Sequence, residues 1–356
     1  MLDGKNPKIV NFIPKAFFPA VVFSGRAGEM LLQSIQDKNI FVLISRSAQQ
    51  HHGEKLKKLL EKNKLHFFEL ASEPTLADQE KFFAEFQHGS FDTVIGIGGG
   101  SVLDLAKLIR LESEPELILI PTTIGTGSEA SQFSLLLDGD KKKIFSSPRL
   151  LPDIVILDPQ YLVSLKKETI IFSAIDAIAH AVEGLASRAS SPLTDSFATK
   201  AIDLIFENLV AACNEKNTAA LAGLQTAGFF AGVVQSTASV GLIHALAHYS
   251  GPRTKAGHGE AISVWLVDVL RFNMANSTAY SKLDACKSVN SKNFVQELVS
   301  LFYRCGFDLE SVKKPAVDTT DIRKVAEAIR SDVCTKTNPI MPRVEDVELL
   351  LRGKYG

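Results

Sequence analysis

A two-part chain is predicted, with an α/β domain on a mainly parallel sheet over residues 1–163 and an all-helical domain over residues 164–356. Three observations carry that expectation. Short β-rich runs alternate with amphipathic helical stretches through about the first 160 residues, the strand signal stops after Leu165, and a cluster of glycines follows one of the buried strands.

The first apolar run, Ala16 to Phe23, is broken by Pro19 and has neither a basic region before it nor a small-residue cleavage site after it. It makes a poor signal peptide and is too short to span a bilayer, so an early buried strand is expected. Further strands are expected at Ile40–Ile44, His66–Leu70, Thr93–Ile97, Leu117–Ile120 and Ile154–Leu157, with helical stretches such as Glu54–Lys62 and Leu76–Phe86 between them. Apolar strands divided by amphipathic helices are the pattern of βαβ units. The second half reads as helices at Ser173–Ala186, Leu193–Ala212, Ala219–Ser236, His258–Phe272, Asn293–Tyr303 and Thr320–Ile329. No long Gly/Ser linker separates the halves, so they are expected to share a large interface with the site between them.

Composition bounds the function. Of 356 residues 46% are hydrophobic and 22% charged, an ordinary globular balance with ample length for two domains. Lys plus Arg number 39 against 40 Asp plus Glu, so no global field draws in nucleic acid or an anionic membrane, and neither partner is expected. The four cysteines, Cys213, Cys286, Cys305 and Cys334, are widely spaced and form no CxxC pair. They read as reduced thiols of a cytoplasmic protein.

The glycine cluster lies in Thr93-Val-Ile-Gly-Ile-Gly-Gly-Gly-Ser101-Val-Leu-Asp104-Leu-Ala-Lys107, a buried strand followed by an amphipathic helix. Gly98, Gly99 and Gly100 remove side chains where the backbone turns tightly, and the helix presents free N–H groups and the positive end of its dipole. A pyrophosphate fits there, although the spacing is neither GxGxxG nor a Walker motif; a plain tight turn without a ligand is the alternative. The next loop, Pro121-Thr-Thr-Ile-Gly-Thr126-Gly-Ser-Glu129, leaves the same edge of the sheet. Thr122, Thr123 and Thr126 either bond ribose and phosphate or cap their own turns.

Of eight histidines, four are not scattered. Asp176 and His180 repeat at i and i+4 in a nearly all-apolar helix, as do His244 and His248, and His258 follows beside two glycines. Each spacing puts both polar groups on one helix face. Burying them unsatisfied is costly, so they pair with one another or bind something, and oxygen and nitrogen ligands suit iron or zinc. Spacing alone leaves open which of His244 and His248 is a ligand.

Together GIGGGSVLDLAK, PTTIGTGSE, IDAIAHAVEG, HALAHYSG and TNPIMPRVEDVELLL resemble the iron-containing (group III) alcohol dehydrogenase family, in order over almost the whole chain. The resemblance implies a Rossmann-like α/β domain plus an all-helical C-terminal domain, a dehydroquinate synthase-like architecture. It implies that Asp176, His180, His244 and His258 bind a divalent metal, Fe2+ before Zn2+, and that His248 lies near the nicotinamide. It implies further that Gly98, Gly99, Gly100, Ser101 and Asp104 face a pyrophosphate, and that Thr122, Thr123, Thr126, Lys142 and Leu162 line the cofactor. Lys141, Lys142 and Lys143 are adjacent, so a gap of one residue would reassign the lysine. A homo-oligomer is common in such families and is expected here.

Three departures from the family pattern bear on specificity. Arg46 stands where an acidic residue commonly follows the second strand, Glu73 where Asn often precedes Pro-Thr, and Gly251-Pro-Arg253-Thr-Lys255-Ala-Gly257 lacks the usual proline before His258. An arginine at the end of the second strand accommodates a 2′-phosphate, so NADP(H) is favoured over NAD(H). Arg253 and Lys255, in the segment joining His248 to His258, are candidates to hold an anionic group of the substrate. The expected activity is hydride transfer between NAD(P)(H) and a small primary alcohol or aldehyde, with the metal as Lewis acid and His248 either as proton relay or as a wall residue against the cofactor. The alternatives are a dehydroquinate synthase-like lyase and a non-catalytic nucleotide-binding module.

Overall fold

The computed structural model describes residues 16–139, 141–254, 256–312 and 321–353. In its first half β1 (Val21–Ser24), β2 (Asn39–Ser45), β3 (Lys64–Leu70), β4 (Thr93–Gly98), β5 (Glu116–Pro121) and β8 (Ile154–Leu157) form one sheet. Its order is β1-β8-β5-β4-β2-β3, with every pairing parallel. The helices between them are α1 (Arg26–Ser34), α2 (Arg46–Leu59), α3 (Leu76–His88) and α4 (Gly100–Leu108).

β2 shows how the sequence sets these layers. Its side chains alternate, so Phe41 and Leu43 pack with Phe82, Phe86 and Leu103 on the face covered by α3 and α4. Ile40, Val42 and Ile44 pack with Leu32 and Leu56 on the face covered by α1 and α2. With both faces covered, the strand reads as a continuous apolar run.

Three expectations change. The Ala16–Phe23 run yields only β1, an edge strand rather than a buried one: Val21 and Val22 are 45% and 42% exposed, and among the described residues their sole strand neighbour is β8. α2 starts at Arg46 rather than Glu54, because Ser45 caps it by accepting the Ala48 N–H at 3.1 Å. An antiparallel hairpin, β6 (Phe133–Asp138) and β7 (Lys141–Ser146), was not expected at all. Three consecutive lysines conceal β7 from a hydrophobicity pattern.

The second half contains α5 (Lys167–Ala186), α6 (Pro192–Glu215), α7 (Thr218–Ala238), α8 (Leu242–Thr254), α9 (His258–Asn276), α10 (Phe294–Arg304), α11 (Ile322–Ser331) and α12 (Val344–Leu351). No strand is present there among the described residues; Thr320, the expected start of α11, lies outside them. α5 is long and apolar enough to cross a membrane, but 83% of its apolar window is buried among the other helices. α8 continues through Pro252 and Arg253, where a loop was expected.

Glycines dock the two halves. The loop after β5 lies directly on α7, where a Cβ on Gly228 would stand 1.6 Å from the Ile124 carbonyl oxygen. Gly127, at φ +55°, approaches Gly232 so closely that its Cβ would meet that residue's Cα at 2.3 Å.

Candidate metal centre and cofactor cleft

Asp176 and His180 lie one turn apart on α5 and are almost fully buried, at 2% and 3% exposure. His244, in the first turn of α8, faces them, with its ring stacked on His180 at 4.6 Å between centroids. His258 opens α9, whose N-terminus sits close on α5: a Cβ on Gly259 would be 2.2 Å from the Phe172 carbonyl oxygen. Asp176 Oδ1 is 3.5 Å from His180 Nε2, 3.6 Å from His244 Nε2 and 3.4 Å from His258 Nε2. One potential ligand atom from each of the four thus converges on one point.

These residues suit a metal better than they suit one another. Asp176 Oδ1 and His244 Nε2 are buried without a hydrogen-bond partner, a costly state unless something binds them. Nitrogen and oxygen ligands at about 2.0–2.2 Å from a tetrahedral ion stand roughly 3.4 Å apart. Three sides of the cluster are closed, and His258, with 30% of its side chain exposed, marks the open one.

Charge distribution fits a cation as well. Burial pushes the Asp176 carboxyl up, but the surrounding imidazoles of His180, His258 and His244 outweigh it and hold it below the usual carboxylate range. Burial lowers His180 to about 4 and His258 well below its ordinary value, leaving both rings neutral with lone pairs to donate. Burial also disfavours a charged His244, yet Asp176 and Glu183 outweigh it and raise that ring to about 9, so a metal would have to displace its proton to bind Nε2.

Glu183 is the residue the sequence reading passed over. It lies on α5 a turn beyond His180, is 2% exposed, and accepts from His244 Nδ1 at 2.6 Å through Oε2. It also accepts the Gly241 N–H at 2.8 Å and the Ile243 N–H at 2.6 Å. The carboxylate caps the N-terminus of α8 and holds His244 with Nε2 free toward Asp176. The clue was present: an acidic residue in the same apolar run that singled out Asp176. Asn338, from the TNPIMP stretch, helps by accepting the Leu242 N–H at 3.2 Å.

From this cluster a cleft of about 530 Å³ runs along the carboxyl ends of β2, β3, β4 and β5, lined by Arg46, Gly99, Gly100, Ser101, Thr123, Thr126, Asp176 and His258 among others. An adjoining hollow of about 490 Å³ shares Ser101, Gly257 and His258 and adds Glu73, Lys142 and His248. α4 has no side-chain cap, so its first N–H groups face the cleft. In Gly100 a side chain would collide with Thr126, at 2.7 Å from a Cβ.

The other expected residues are placed as follows. Lys142 is on β7, where the pleat selects it over Lys143; its Nζ lies 3.0 Å from Glu73 Oε1 at the rim, and Glu73 thus faces the site. His248 lies beside His258, ring centroids 5.9 Å apart, and burial together with His244 lowers it to about 4. Arg46 is 70% exposed at the far end of the cleft and donates from Nε to Glu69 Oε1 at 3.0 Å.

Four residues stand outside the cleft lining. Gly98 ends β4 behind it, and Thr122 is buried, donating its N–H to the Gly98 carbonyl at 2.9 Å. Asp104 is held by the Ser128 hydroxyl, the Leu135 N–H at 3.2 Å and Lys107 at 3.3 Å, which ties α4 to β6. Leu162 is fully buried in the core of the helical half. Arg253 does not line the cleft either: it lies in the last turn of α8 with its guanidinium 3.9 Å above the Tyr249 ring. Lys255 is outside the described residues.

Comparison with known proteins agrees in both halves. Residues 19–159 match the family model described as iron-containing alcohol dehydrogenase, and residues 170–355 match the C-terminal model of the Fe-containing alcohol dehydrogenase family. The chain is 31% identical to the 1-propanol dehydrogenase PduQ of Salmonella typhimurium, over 80% of this chain and 84% of that one. It is 34% identical to long-chain-alcohol dehydrogenase 1 of Geobacillus thermodenitrificans, over 68% and 67%. The same fold is found in the iron-containing alcohol dehydrogenase of Thermococcus thioreducens, with a TM-score of 0.86 at 23% identity over 96% of this chain and 99% of that one.

Proposed function

The chain belongs to the iron-containing alcohol dehydrogenase family and is an enzyme of that kind, and we propose that Asp176, His180, His244 and His258 hold its divalent metal, Fe2+ before Zn2+. The observation that carries this reading is the convergence of Asp176 Oδ1 and His244 Nε2, both buried without a hydrogen-bond partner, with the His180 and His258 imidazoles at the end of the sheet-edge cleft. A divalent cation there supplies Lewis acidity toward the oxygen of a small primary alcohol or aldehyde. A nicotinamide dinucleotide supplies or accepts the hydride.

The protein's own groups bind, orient and move a proton. The glycine turn lets the backbone approach the pyrophosphate, which the N–H groups at the start of α4 hold, while Ser101, Thr123 and Thr126 contribute hydroxyls. Lys142 and Glu73 form one wall of the substrate hollow. His248, beside His258 and free of the four-residue set, carries the substrate proton toward solvent. Arg46 accommodates a 2′-phosphate, so NADPH is the favoured cofactor; to bind it the guanidinium gives up Glu69.

The division of the chain at 163/164, between β8 and α5, and a homo-oligomeric assembly belong to the same reading. Arg253 lies outside the lining of the hollow with its guanidinium over the Tyr249 ring, so a neutral alcohol or aldehyde is the favoured substrate. Metal analysis of the purified protein, with oxidation of NADPH and NADH followed by absorbance across a panel of aldehydes, tests the proposal. Metal near one equivalent per chain and turnover with neutral aldehydes are expected; a metal-free protein with full activity would refute it.

A further inference from the structure

We propose that His248, Asp332 and Cys334 form a second, inhibitory site for a thiophilic divalent cation such as Zn2+, one helix turn along α8 from His244. His248 comes from α8, whereas Asp332 and Cys334 follow the end of α11. The Cys334 N–H donates to Asp332 Oδ1 at 2.7 Å, which ties the two residues into one short turn. Cys334 Sγ lies 3.9 Å from His248 Nδ1, and one ligand atom from each of the three residues is within 4.8 Å of the other two.

The chemistry separates this set from its neighbour. Asp176, His180, His244 and His258 offer only nitrogen and oxygen, which serve iron and zinc alike, whereas sulfur with imidazole and carboxylate selects softer ions. Cys334 is buried, and burial with the nearby Asp332 carboxylate keeps its thiol protonated in the absence of a cation. On binding, the metal–sulfur and metal–nitrogen bonds form and the thiol proton leaves to solvent, with no change of oxidation state. The fourth position is left to water.

Binding rests on this geometry alone. The inhibition rests on the reading of His248 above: with Nδ1 engaged by a cation the ring cannot release and regain a proton.

Cobalt titration of the full-length, metal-loaded enzyme tests the site, because a near-ultraviolet thiolate-to-cobalt charge-transfer band requires a sulfur ligand and the Asp176 set has none. The band is expected in the parent, absent in Cys334→Ala, and retained in Cys213→Ala/Cys286→Ala/Cys305→Ala, where Cys334 is the one thiol left. Excess Zn2+ should slow the parent, with at least tenfold weaker sensitivity in Cys334→Ala. No band in the parent, or one that survives in Cys334→Ala, overturns the proposal. Should Cys334→Ala fail to fold, absence of the band in the triple variant does so instead. A band that follows these variants without zinc inhibition upholds the binding site and contradicts the role given to His248.

Discussion

Glu183 Oε2 accepts a hydrogen bond from His244 Nδ1 at 2.6 Å while the same carboxylate caps the helix that carries His244. The imidazole is thereby fixed with Nε2 toward Asp176. Carboxylates behind metal-binding histidines change metal affinity by about 10–100-fold when removed. Glu183→Gln is therefore expected to weaken metal binding by about tenfold with the fold retained. Competitive chelator titration measures it, and an unchanged affinity would show that His244 is positioned by something else.

His248 is assigned to the proton rather than to the metal. His248→Ala should keep its metal and lose about 10²–10⁴-fold in turnover, the range of a single acid–base group. Metal content and kcat measured on the same preparation decide it. Loss of metal would move His248 into the ligand set.

Arg46 donates to Glu69 rather than standing free, so its service to a 2′-phosphate competes with that ion pair. Arg46→Asp should lower the preference for NADPH over NADH by about tenfold, a factor worth about 1.4 kcal/mol. The effect stays small because the guanidinium is 70% exposed and screened. Glu69→Gln, which frees Arg46, should move the preference the other way. Michaelis constants for both cofactors that are identical across the three proteins would rule Arg46 out.

Gly228 and the Ile124 carbonyl meet where the two halves dock. A methyl group has no room at 1.6 Å from a backbone oxygen, so Gly228→Ala must shift α7 or the loop after β5. Overpacking of this kind costs typically about 1–3 kcal/mol. A urea midpoint equal to the parent's would mean that the interface yields freely.

The readable parts of this fold were local. Asp176 with His180, and His244 with His248, show their shared helix faces through spacing, and the glycines after β4 show the turn through composition. What could not be read depends on partners distant in sequence. Glu183 meets His244 only when α8 packs on α5, and Arg253 lies over Tyr249 because α8 runs on past Pro252. β7 is stabilised by pairing with β6 rather than by an apolar pattern of its own, so no strand was legible in its three lysines. Asp104, which the family resemblance assigns to the pyrophosphate, is bonded by the Ser128 hydroxyl and the Leu135 N–H, partners 24 and 31 residues away.

If Asp176, His180, His244 and His258 hold one divalent metal on which turnover depends, removing any one of them removes both. Replacing His258, the most exposed of the four, disturbs the core least and tests it most directly. Metal content by elemental analysis, with NADPH-linked aldehyde reduction on the same sample, should show His258→Ala folded, depleted of metal and nearly inactive. Stoichiometric metal with a near-normal rate in His258→Ala would show that the metal is held elsewhere.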